Sequence, residues 1–179
     1  MKFDIEHITK CMIEYDTGVP TSVIIGILLI VCVQIVLFYR YNTDGHKFIR
    51  NASWCILGWY VFFIFCSTIL FRDKAEETHF FLRPFWSYST LYNRRIAEIL
   101  LNILIFIPIG FLCGAAIRNA SFLKVTGLGC LLSFSIEILQ LLTKSGIFNI
   151  DDAFHNTLGC AVGYGVFRLC NTILTNYIK

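Results

Sequence analysis

Glu137 sits inside an otherwise apolar run, with Ser133 and Gln140 at helical spacing on either side of it. An acid at the centre of a spanning helix costs roughly 2.5–3.5 kcal/mol on insertion scales, so it must face protein, a cavity or a partner. On an α-helix Ser133, Glu137 and Gln140 share one face, which makes a polar stripe. A later run opens with a second stripe, Asp152, Asn156, Gly159 and Gly163, with Asp151 beside its first member. The glycines let a neighbouring backbone come close, and the acid and amide at the same helix end project into that contact. A third run follows Arg94 and Arg95 and carries Asn102 one to two turns in. All three stripes fall toward one side of the bilayer. They are expected to converge on a single polar pocket, roofed by the loop that carries Arg83. In such a pocket arginines suit phosphate through bidentate, charge-assisted bonds, and the carboxylates orient a ligand or act as general bases.

The same residues also have purely structural readings. Asn102, Ser133 and Gln140 can hydrogen-bond between helices, and the two glycines can serve packing alone. Asp152 can be a helix N-cap. Arg94 and Arg95 can snorkel to the interface, or one of them can pair with Glu137. His155, four residues after Asp151, reads as an interfacial residue rather than a metal ligand. Glu137, Asp151 and Asp152 are acids of the kind that hold a divalent ion. They lack a fixed ligand spacing, so neither a metal site nor a cofactor is expected. No G-x-S-x-G, no Walker motif and no His/Cys nucleophile pattern occurs.

The elements that must position these residues are spanning helices. Of 179 residues 56% are hydrophobic and only 15% charged, against about 25% charged in an ordinary soluble domain. A mean hydropathy of +0.68 makes lipid the natural cover for that surface. Five runs are long enough to span at about 20 residues each: 20–39, 52–71, 99–117, 125–143 and 153–175. They lack period-2 alternation, and a backbone in hydrocarbon must satisfy its own polar groups, so they are helices. The fold class is therefore all-α, a polytopic transmembrane bundle. Pro20 suits a first turn, and Trp54, Trp59 and Tyr60 suit an interface. The connections are a basic loop at 40–51, a long aromatic-rich segment at 72–98, a basic turn at 118–124 and a short loop at 144–152 that ends in Asp151 and Asp152.

Lys and Arg are nearly balanced between the two sides. If Arg83, Arg94 and Arg95 serve a site and are set aside, the balance tips to an outside N-terminus and a cytoplasmic C-terminus. Basic residues spread among loops, with a net charge of +3, speak against nucleic acid as a partner. All cysteines but Cys11 lie in apolar runs, where a free thiol behaves as a small hydrophobe. No cleavable signal peptide is expected in the polar, acidic first 19 residues.

Taken together, several segments resemble the VanZ-like family. They are L-R-P-F at 82–85, R-R-x-x-E-x-x-L-N-I-L-I-F-I-P-I-G-F-L at 94–112, S-x-x-x-E-x-x-Q at 133–140 and D-D-x-x-x-N-T-L-G-x-x-x-G at 151–163. The first departs from the family's N-L-x-P-F, with Leu82 and Arg83 where Asn and Leu would stand. The resemblance covers residues 46–179 as a four-helix core, with residues 1–45 as a polar N-terminus and an added helix. It implies a bacterial plasma-membrane protein linked to low-level resistance to teicoplanin, a glycopeptide. The residues carried over by motif are Asn102, Pro108, Gly110, Glu137, Gln140, Asp151 or Asp152, Asn156, Gly159 and Gly163.

Three functions compete. One is binding or modification of a cell-envelope lipid, a lipid-linked wall precursor or the glycopeptide itself in an outward-facing pocket. Another is a membrane enzyme on a lipid-phosphate substrate, with Glu137 or Asp152 as general base. The third is a structural scaffold in which the polar stripes only hold helices together.

Overall fold

A computed structural model describes residues 5–13, 19–41, 44–74, 80–88 and 93–177. The chain forms α1 (Ile5–Ile13), α2 (Thr21–Tyr41), α3 (Gly45–Phe65), β1 (Phe80–Phe81), α4 (Asn93–Ala116), α5 (Phe122–Thr143), β2 (Phe148–Asn149) and α6 (Ile150–Tyr177). Five stretches are long and apolar enough to cross a membrane: Thr21–Arg40, Gly45–Leu70, Arg94–Ala116, Phe122–Thr143 and Ile150–Tyr177. The architecture is all-α, and the protein is a multi-pass membrane protein. Large apolar side chains such as Leu29, Leu131 and Leu169 lie exposed along these helices, as a surface solvated by hydrocarbon requires.

Four of the five spanning helices, α3 to α6, begin earlier than their apolar runs do. α3 starts at Gly45, inside the stretch expected to be loop, because Asp44 caps it by accepting from the His46 and Lys47 amides at 2.9 and 3.4 Å. At its far end α3 passes into a π-helical turn, Cys66–Leu70. There the Ser67 and Thr68 hydroxyls donate to the Ile64 carbonyl at 3.0 and 2.7 Å. That turn packs against α5 and delivers Arg72 to the end of the bundle where the acids lie. The short helix α1 was not foreseen; it lays Ile8 inward and packs on α4.

The bundle is organised around the pair α4–α6, its most extensive helix contact. Three glycines make that contact close. A Cβ on Gly159 would collide with the Ile103 carbonyl, one on Gly163 with the Ile107 carbonyl, and one on Gly110 with the Cys160 carbonyl. The backbone that comes close to Gly159 and Gly163 is that of α4. Pro108 lies inside α4 and removes the amide that would have bonded to the carbonyl four residues back. One residue along from that carbonyl, Tyr60 of α3 donates to the Ile105 carbonyl at 2.9 Å. Leu57, Ile64, Phe106, Ile109, Cys113, Val125, Ile136, Cys160 and Tyr164 fill the remaining core. All eight cysteines are free. α2 stands outside, packing principally on α3, and its spanning window buries nothing.

Replacing Gly159 by Val should force α4 and α6 apart at a cost of about 1–3 kcal/mol or more. Gly127→Ala, where an added Cβ meets nothing within 4 Å, should equal wild type or exceed it by up to about 1 kcal/mol, since alanine is the better helix former. Thermal unfolding of both proteins in detergent checks the contrast.

Candidate functional site

Between α3 and α4 the chain crosses one end of the bundle and is held down there by an acid. The carboxylate of Asp151, in the first turn of α6, is 2% exposed. One oxygen accepts the Phe85 amide at 2.6 Å and the other the Ser87 amide at 3.0 Å. Bonds of this charge-assisted kind contribute about 1.5–3 kcal/mol each. They hold Phe85 in a left-handed conformation, φ 62°, which costs a non-glycine residue on the order of 1–2 kcal/mol. Asp151 is thus a clamp on the L-R-P-F-W-S segment. The cap of α6 is Asn149, whose side-chain oxygen accepts the Asp151 amide at 3.1 Å and the Trp86 indole N–H at 3.0 Å. The structural reading of Asp152 as N-cap is corrected accordingly: it is the third residue of the helix, within its first turn.

Two strands that the sequence reading did not anticipate tighten the same junction. β1 and β2 pair in parallel, Phe80 against Phe148 and Phe81 against Asn149. Phe81 stacks on Trp86 with ring centroids 4.3 Å apart, and the Arg95 guanidinium lies over the Trp86 ring, 4.7 Å from its centroid. Cation–π contacts of this kind are worth about 0.5–2 kcal/mol.

Glu137 is 4% exposed and accepts the Asn149 amide at 2.9 Å. The ion pair considered for it with Arg94 or Arg95 does not form. Arg95 bonds Glu98 at 2.8 Å, and Arg94 reaches the same carboxylate at 3.7 Å with most of its side chain exposed. The cation that acts on Glu137 is Arg72, and the nearby acid is Asp152. Asp152 in turn lies near the Asn149 side chain and in the field of Glu98, Arg95 and Asp151. One helical turn deeper, Asn156 donates to the Ser133 hydroxyl at 2.8 Å, both of them buried. Gln140 is buried at the end of α5, its side chain against Gly146.

The structure brings Glu137, Asp151, Asp152, Asn156 and Arg95 to the same end of the bundle. Asn102 is half-buried and makes no side-chain hydrogen bond among the described residues, and Arg83 is exposed on the clamped segment. His155 is not an interfacial residue: it is 1% exposed and its Nε2 lies 2.6 Å from the Tyr88 hydroxyl. Desolvation, and then the Asp151 charge, push the Tyr88 phenol above its ordinary value, so it stays protonated, and the His155 tautomer sets which of the two donates. His155 Nδ1 is left buried without a hydrogen-bond partner among the described residues. Arg72, Trp86, Tyr88, Glu98, Asn149 and His155 are the members that stripe periodicity missed. Only the R-x-x-E spacing of Arg95 and Glu98 was a local signal; the others meet through tertiary contact. Among the described residues no group of three or more His, Cys, Asp or Glu side chains has metal-binding geometry.

These features define a multi-pass membrane protein with a polar cluster buried at one end of its helical bundle. A family model described as VanZ/LLP1 matches residues 24–171, and the chain belongs to that family. The match takes in most of α2, the helix that the sequence reading set apart from the core. The chain is also 29% identical over 115 residues to Protein VanZ of Enterococcus faecium, covering 64% of this chain and 68% of that relative. No solved structure matches.

Asp151→Ala should free the 82–88 segment, while Asp152→Ala should leave it in place. Limited proteolysis in detergent reads the difference as rapid cleavage within that segment in the first protein only.

Proposed function

We propose that this chain is a bacterial plasma-membrane protein that binds the phosphate-bearing head of a cell-envelope lipid or a lipid-linked wall precursor. We further propose that this binding contributes low-level teicoplanin resistance. The observation that carries the reading is a division of charge at one end of the bundle. Exposed Arg72, Arg83 and Arg94 lie toward the outside, and Glu137 and Asp152 lie beneath them beside Asn149. Rim arginines suit phosphate oxygens. Carboxylates and amides below suit the hydroxyl and amine donors of a sugar or amino-acid head. Buried acids are costly in a membrane and by default mark a site. The family relation supports the cell-envelope setting.

One arrangement favours a second reading, an enzyme on a lipid-phosphate substrate. Tyr88, 43% exposed, reaches a buried His155 that lies in the field of Asp151, a chain of groups able to pass a proton. Release of phosphate from a prenyl phosphate by the purified protein, abolished by His155→Ala, would establish it.

The binding reading is tested by the teicoplanin inhibitory concentration of a susceptible Gram-positive host. Wild-type protein should raise it, and Glu137→Gln should not at equal membrane abundance by blot. If Glu137→Gln lowers abundance in step with resistance, the polar cluster is scaffold and binding is refuted. If neither protein raises it, the resistance role fails for this chain.

A further inference from the structure

A second feature lies in the opposite half of the spans from the acids. α2 and α3 diverge to leave a groove of about 670 Å³, open on its outer side, which is within the size of small-molecule sites, about 300–1,000 Å³. Its α3 wall is the face formed by Asn51, Cys55, Gly58 and Phe62. From Asn51 to Phe62 that face runs roughly 16 Å at 1.5 Å per residue, close to the half-thickness of a hydrocarbon core of about 30 Å.

Two amides give the groove direction. Gln34 of α2 accepts the Trp59 indole N–H at 2.8 Å and the Cys55 thiol at 2.7 Å on its single side-chain oxygen. Because an indole N–H only donates, this fixes which end of the amide faces Trp59. The Gln34 NH2 group and the whole Asn51 amide have no hydrogen-bond partner among the described residues. In hydrocarbon such donors need an acceptor. Lys47, four residues before Asn51, continues the same face to the helix start, with Arg50 beside it. Lys47 is 63% exposed and only loosely paired, 3.9 Å from Asp44. Reading along the face gives cation, amide, then apolar wall. That is the order phosphate, ester carbonyl, acyl chain.

We propose that the α2–α3 groove holds one acyl chain of an anionic glycerophospholipid, with its phosphate at Lys47 and Arg50 and an ester carbonyl at Asn51. Charge complementarity at the mouth and the length of the groove favour this occupant over a second copy of the chain, which would bring the same cations face to face. Gly58 forms the open middle of the groove, and an added Cβ there meets nothing within 4 Å. Gly58→Leu therefore starts its side chain from open space on the groove side of α3.

The test uses full-length protein reconstituted in nanodiscs of mixed phosphatidylglycerol and phosphatidylcholine, then released into mild detergent for native mass spectrometry. Wild type should retain one phosphatidylglycerol per chain. Gly58→Leu should lose it with an unchanged melting temperature, and Lys47→Gln should cut the preference over phosphatidylcholine about fivefold. Equal retention by wild type and Gly58→Leu overturns the proposal. So does equal retention of phosphatidylcholine, or a dimer in place of the lipid adduct that Gly58→Leu abolishes. Because Glu137 is not involved, either result is independent of the resistance assay.

Discussion

A spanning helix with a buried acid in its first turn needs donors for that acid, and the protein supplies those of Asp151 from its own backbone. Asp151 receives the Phe85 and Ser87 amides, and through them the segment between α3 and α4 is drawn across the mouth of the bundle. Much else follows from that placement. Trp86 is brought to Asn149, Tyr88 to His155, and Phe81 into stacking contact with Trp86. Arg95 then has an aromatic face to lie on. Without the carboxylate, a left-handed Phe85 would have little to hold it, and the acids beneath would open to solvent.

The clamp works only because α6 is set firmly against α4. In lipid there is no hydrophobic drive between helices, so close backbone contact has to supply the attraction. Gly159 and Gly163 meet carbonyls of α4, and Gly110 answers from the other side. This places the first turn of α6 beside the first turns of α4, where Arg95 and Glu98 stand. The glycine packing and the polar cluster are thus two stretches of the same helix pair, one fixing distance and the other using it.

Periodicity made the spans and the stripes legible. Ser133, Glu137, Asp152, Asn156 and the glycines fall on faces that do meet, because a polar or small residue in an apolar helix has few tolerable orientations. The partners of the charged residues were not legible. Arg95 and Glu98 pair locally, whereas Glu137 is served by a backbone amide of Asn149 and the charge of Arg72. Backbone donors carry no residue-type signal, and Arg72 arrives only because a π turn ends α3. The two-residue strands were equally hidden, since Phe80–Phe81 and Phe148–Asn149 are too short for alternation and pair across distant parts of the chain. His155 looked interfacial by its place in the sequence, but the clamped segment buries it.

The central claim, that the Asp151 carboxylate holds the segment over the acidic cluster, is tested most directly at the two amides it accepts. Amide hydrogen exchange at Phe85 and Ser87 should be slow in the wild-type protein. It should accelerate at least about tenfold in Asp151→Ala, as loss of charge-assisted bonds of about 1.5–3 kcal/mol each requires. Exchange at both amides as fast in wild type as in an unstructured loop would contradict the account.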